Sequence, residues 1–116
     1  MNPKARISRF QRIGSIGCLC CRRYGYFGVL GDVHHLNLGQ HAGQKRLGDE
    51  HTIGLCAYHH RGILGGQSQE WWERQVGPSL ALKPKEFREK FGSDLELLAE
   101  QNELIEEAEK RVVGAA

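Results

Sequence analysis

Residues 51–60 read His51-Thr-Ile-Gly-Leu-Cys-Ala-Tyr-His-His60, and far upstream, 35 positions before Cys56, the run Cys18-Leu-Cys-Cys21 ends. Each stretch holds two soft ligands separated by two residues, Cys18-x-x-Cys21 and Cys56-x-x-His59. A spacer that short lets a tight turn or the first turn of a helix aim both side chains at one ion, and two such pairs close the tetrahedron of a structural zinc site. Cys20 is the odd thiol: a one-residue spacer makes a tighter chelate of worse geometry, so it is left outside the ligand set. Reading the thiols as small buried hydrophobes would explain neither the paired spacing nor how a short chain is stabilised.

The chain has 116 residues, 26% charged and 40% hydrophobic, with net charge +2, four cysteines and six histidines. That length fits one small domain with a modest core, for which a metal staple is useful. No apolar run approaches the roughly 20 residues of a membrane span, and the start MNPKARISRF lacks the apolar stretch of a secretory signal. A cytoplasmic location is therefore expected, where clustered cysteines favour metal over disulfides. Lys4, Arg6, Arg9, Arg12, Arg22 and Arg23 all precede the first acid, Asp32, whereas the segment from Asp94 onward is strongly acidic. The split suggests a basic face for phosphates and an acidic face turned away from them.

Residues 1–16 read as a basic arm with a turn of helix, and residues 17–113 as a single domain. Within it, a metal-stapled core covers about 17–66 and a helical scaffold about 67–113. Tyr24–Leu30 and Asp32–Leu38 resemble two short strands joined at Gly31-Asp32, a hairpin. Gly39–Glu50 reads as a loop with a basic tip, and Thr52–Ile63 as a helix. Ser68 caps a helix through Val76, Pro84 starts another that stops at Gly92, and Ser93-Asp-Leu-Glu96 is a capping box opening the last. The expected fold class is α+β, a zinc-stapled core with a short hairpin and additional C-terminal helices.

Zinc consumes one histidine. His59 and His60 are helix neighbours about 100° apart, so if His59 turns to the ion, His60 faces elsewhere, towards the hairpin carrying His34 and His35. The three leftover imidazoles would meet at one cleft. An ideal strand sends His34 and His35 to opposite faces, so that convergence needs the strand to end or bulge there. Asp32 either contacts a histidine ring or serves the turn. His41 has no partner by spacing and reads as surface.

Cys18-x-x-Cys21, then Asp32-Val-His-His35, then His51 through His60 resembles the HNH motif of the ββα-metal nuclease superfamily. More narrowly, Gly43-Gln-Lys-Arg, Leu55-Cys-x-x-His-His60 and Phe91-Gly-Ser-Asp-Leu-Glu-Leu-Leu98 are similar to phage Ref-type nucleases, described as RecA-dependent endonucleases. The likeness spans roughly residues 17–105. It implies His35 as general base, with His34 and His60 as ligands of a catalytic divalent ion, Mg²⁺ or Mn²⁺; zinc could also occupy that cleft in a crystal. Position 51, asparagine in the usual motif, is His51 here; it either orients the loop as asparagine would or lends a third ligand. A further histidine one turn beyond the second ligand is replaced by Leu64, which makes metal binding more dependent on water and phosphate oxygens.

The resemblance thus implies a metal-dependent DNA endonuclease acting on recombination or RecA-bound DNA, in the cytoplasm of a bacterial host, leaving 5′-phosphate and 3′-hydroxyl ends. A neutral imidazole can take a proton from water at physiological pH, as phosphodiester hydrolysis requires. Arg22, Arg23, Lys45 and Arg46 are the candidate phosphate contacts, giving affinity with little base specificity. DNA is the expected partner, a RecA filament a further one by resemblance, and no membrane is expected; oligomeric state is not encoded in any motif. The rival is a non-catalytic zinc-stabilised module for DNA or protein binding, which needs only Cys18, Cys21, Cys56 and His59. A phage adaptor docking through its acidic C-terminal helix is a third reading, and it gives the histidines no task.

Overall fold

The structure, a computed structural model, describes residues 1–36 and 48–114. Lys45, Arg46 and His41, with most of the Gly39–Glu50 loop, lie outside the described residues. The first sixteen residues form more than a turn of helix. Asn2 accepts the Ala5 N–H, Pro3 occupies the first turn, and α1 runs from Pro3 to Ile16 with Ile13 and Ile16 buried. α1 lies against the last helix, α6 (Asp94–Gly114), and against both strands. What charge alone marked as an arm is core on one side, because Ile13 and Ile16 share a face with Phe10.

The sheet differs from the expected hairpin. β1 (Asp32–His35) pairs antiparallel with β2 (Thr52–Leu55), setting His34 opposite Ile53 and His35 opposite Thr52. Thr52–Leu55, read in sequence as the start of a helix, is a fully buried strand, and the helix that follows is the short α3 (Ala57–Arg61). A four-residue apolar run cannot be assigned by periodicity, and here β-branched Thr52 and Ile53 favour the strand. Tyr24–Leu30 is no strand. Gly25 and Gly28 take φ of 87° and 70°, breaking any extended run, and the segment is tied to the cysteine knuckle, Cys18 N–H to Val29 O (2.9 Å) and Tyr26 N–H to Cys21 O (3.1 Å).

Gly54 shows how closely α1 approaches the sheet: a Cβ there would meet Ile13 Cγ2 at 2.9 Å. The C-terminal helices follow the sequence signals. Ser68 Oγ accepts the Trp71 N–H at the start of α4 (Gln69–Val76), and Pro84 opens α5 (Pro84–Phe91), which Gly92 ends. Ser93 and Glu96 exchange two hydrogen bonds, 3.0 and 3.2 Å, at the head of α6. Phe87, Phe91, Leu97 and Ile105 bury their side chains in the core shared with Leu19, Leu36, Ile53, Leu55 and Tyr58. Among the described residues no helix is long and apolar enough to cross a membrane. The chain is α+β, with a two-stranded sheet and a Cys₃His cluster.

Candidate functional site

The short α2 (Leu19–Arg22) and α3 each begin at a cysteine whose sulfur caps the helix. Cys18 Sγ lies 3.5 Å from the Cys21 N–H nitrogen, and Cys56 Sγ 3.5 Å from that of His59. This capping turns the second ligand of each pair back towards the first. The Cys18, Cys21, Cys56 and His59 donors all lie within 4.8 Å of one another, and all four residues are buried. A zinc tetrahedron with Zn–S of about 2.3 Å and Zn–N of about 2.0 Å has S···S edges of about 3.8 Å and S···N edges of about 3.5 Å. Cys21 Sγ to Cys56 Sγ measures 3.8 Å, and His59 Nδ1 lies 3.4, 3.7 and 3.3 Å from the sulfurs of Cys18, Cys21 and Cys56.

Protonation points the same way. The Val76 carbonyl, 2.9 Å from His59 Nε2, can only accept, so Nε2 carries the proton and Nδ1 turns its lone pair to the sulfurs. Without a cation the cluster cannot carry three thiolates. Hydrogen bonds from Cys20, Cys21 and Cys56 push the Cys18 thiol down, while those with Cys18 and Cys56 push the Cys21 thiol up. Burial works to lower the His59 imidazole, but the Cys18 and Cys56 sulfurs outweigh it and raise it to about 9. A divalent cation would replace these shared protons, and the donor set fits zinc. Cys20 is buried beside the cluster, and burial, then Cys18, pushes its thiol up.

The remaining histidines divide between the faces of β1. His34 faces α3, its ring centroid 4.6 Å from that of His60. His60 Nδ1 lies 3.0 Å from Asp32 Oδ2, which also accepts from Arg61 Nε at 2.7 Å. These contacts, His60 first and Arg61 next, hold the Asp32 carboxyl below its usual range, so it acts as the acceptor for His60 Nδ1. Burial, then the nearby His60, pushes the His34 imidazole down to about 4. The His34 ring can therefore offer a nitrogen to a cation at neutral pH.

His35 sits on the opposite face. Its ring meets Phe10 edge-on at 6.2 Å, and Nε2 lies 2.9 Å from the acceptor Asp49 Oδ1. The structure brings His34 and His60 together and sets His35 apart, at the last position of the strand. His51 follows the turn before β2; its Nδ1 is buried without a hydrogen bond, 3.4 Å from Glu50 Oε1, and its carbonyl accepts the Leu36 N–H at 2.9 Å. Of the candidate phosphate contacts, Arg23 is paired with Glu100 at 2.6 Å, and Arg22 lies over the exposed Phe27 ring at 4.9 Å. Arg9, counted in sequence only towards net charge, is structural: Nε reaches Thr52 Oγ1 at 2.8 Å, Nη2 reaches the Thr52 carbonyl at 2.6 Å, and burial lowers its pKa.

Sequence reasoning missed Asp49, although an acid two residues before His51 was a visible signal. It left Asp32 between two roles, and the structure gives Asp32 the histidine contact.

Residues 4–106 match the family model described as recombination enhancement, RecA-dependent nuclease. The chain belongs to this family. The match covers α1, the Cys₃His cluster, both strands and most of α6, so the RecA-dependent nuclease family accounts for nearly the whole of the fold described above. No curated protein and no solved structure matched the chain.

Proposed function

We propose that this member of the RecA-dependent nuclease family is itself a metal-dependent DNA endonuclease with an HNH core, acting on recombination or RecA-bound DNA. The observation that carries the proposal is the His34–His60 pair, two rings 4.6 Å apart, one held at Nδ1 by Asp32. A structural scaffold has no need of such a pair beside a complete Cys₃His cluster. His34 and His60 would hold Mg²⁺ or Mn²⁺, which when bound neutralises charge on a phosphate oxygen and on the leaving 3′ oxygen. His35 would take the proton of the attacking water at Nδ1, with Asp49 keeping the opposite nitrogen protonated. The end of β1 then separates metal pair from base, and the cleaved phosphate would lie across it. His51 would brace this end through its carbonyl bond to Leu36. Arg22, with Lys45 and Arg46, would contact phosphates, and Arg23 would do so on releasing Glu100. Residues 17–113 would form the nuclease domain, with α1 as its outer brace.

A second reading, a non-catalytic zinc module that binds DNA or protein, draws on the placement of His35 away from the other two rings. Purified zinc-loaded protein, incubated with supercoiled, single-stranded and recombination-intermediate DNA plus magnesium or manganese, with and without a recombinase filament, separates the two. The expected result is cleavage that His34→Ala and His60→Ala abolish with zinc content unchanged. Equal nicking by wild type and His35→Ala removes His35 as base, and DNA binding without cleavage under every condition favours the module.

A further inference from the structure

The Tyr24–Leu30 segment is anchored at both ends yet turns its middle outwards. Tyr24 packs edge-on against Phe91, and the Val29 carbonyl holds the Cys18 N–H, while Tyr26, Phe27 and Leu30 are 47%, 67% and 82% exposed. Beside them opens a cavity of about 380 Å³ lined by Tyr26, Val29, Trp71, Trp72, Gln75 and Val76, together with Cys21. Trp72 is occupied structurally, stacked on Tyr58 at 4.6 Å with its indole N–H on the Leu64 carbonyl. Trp71 stands edge-on to it at 5.1 Å and borders the opening. Apolar side chains held in water on a fixed loop mark a contact surface.

Charge selects the occupant. Arg22, adjoining Cys21, lies over Phe27, and Arg74 adjoins Gln75; among the described residues neither forms an ion pair with a carboxylate. Aromatic faces beside the unneutralised Arg22, with one amide for a polar edge, suit a strand of unpaired nucleotides. Bases stack on the rings and arginine meets the phosphates, whereas a duplex keeps its bases stacked internally. We propose that Tyr26, Phe27 and Trp71 form a stacking site for unpaired bases of single-stranded DNA, with Arg22 on the backbone. The site deepens the nuclease reading, on which it rests for its DNA substrate, by giving the protein a hold on the unpaired strand of its target.

The test uses the full zinc-loaded chain without added magnesium or manganese. Its probes are a fluorescein-labelled oligothymidylate, a duplex of equal length and an abasic oligomer of equal charge, read by anisotropy and by intrinsic tryptophan fluorescence. Oligothymidylate should quench the tryptophan emission and the abasic oligomer should not. Phe27→Ala and Trp71→Ala should each weaken oligothymidylate binding about 5- to 100-fold and duplex binding less than about twofold, with Trp71→Phe restoring most of the loss. Phe27 is so exposed that its removal leaves folding intact, which keeps the test decisive if Trp71→Ala misfolds. Equal losses on all three probes, or none on oligothymidylate, overturn the proposal. So does a Phe27→Ala variant that binds oligothymidylate normally but fails to bind a recombinase, since that assigns the patch to protein docking. Cleavage with normal stacking variants would sink this site alone, and selective stacking without any cleavage would sink the nuclease reading alone.

Discussion

Asp32 and Asp49 do at two histidines what the Val76 carbonyl does at a third: an acceptor fixes which ring nitrogen keeps its proton. Asp32→Asn lets the amide offer a donor instead and frees His60 to change tautomer. Manganese affinity measured by calorimetry should then fall about 10- to 100-fold with zinc content unchanged. His34 sets a pH dependence of its own. Its folded imidazole titrates near 4, below the ordinary 6.5, so between those values the unfolded chain binds a proton that the folded chain does not, and stability falls as pH drops. The charges of His60, Asp94, Arg88 and His35 all act on it, and solvent screening limits the effect to roughly 1–2 kcal/mol. Urea midpoints from pH 7 to 4 should decline less steeply in His34→Asn than in the wild type.

At the scale of elements, the sheet depends on α6 as much as on its own pairing. Gln101, fully buried on α6, accepts the Gly54 N–H at 2.8 Å. Gln101→Leu strands that donor and should cost about 1–3 kcal/mol, read as a lower denaturant midpoint without cleavage-specific change. Gly54→Val should be worse, because its side chain would collide with Ile13 on α1. These dependencies explain which elements were legible. The Ser68, Pro84 and Ser93 helix starts and the two ligand pairs of the Cys₃His cluster are local signals, each carried by residues three or fewer positions apart. The pairing of β1 with β2 is not local: it joins Asp32 to Leu55 and is selected by burial under α1 and α6, which no window around either strand contains. The separation of His34 from His35 was visible as strand alternation. The acceptors of His35 and His59 were not, since Asp49 and Val76 reach them only in the folded chain.

Taken whole, the molecule packs a short sheet against a basic first helix and an acidic last one that also lie against each other, with Arg9 joined to Thr52 and Asn102, and Arg23 to Glu100. Deleting residues 2–16 should therefore do more than weaken DNA binding. It uncovers the core around Ile13 and Gly54, and the product should lose cooperative unfolding, as followed by circular dichroism. Chelation of zinc should lower Tm by more than about 15 °C, since the cluster joins the two halves of a modest core. The hydrogen bond that the His59 ring donates to the Val76 carbonyl has a consequence for biosynthesis. All four metal donors have left the ribosome once residue 59 is out, but the acceptor that orients the imidazole arrives seventeen residues later. Ion capture during translation would thus come in two stages, a loose grip by the nascent knuckle and a tightening when α4 docks.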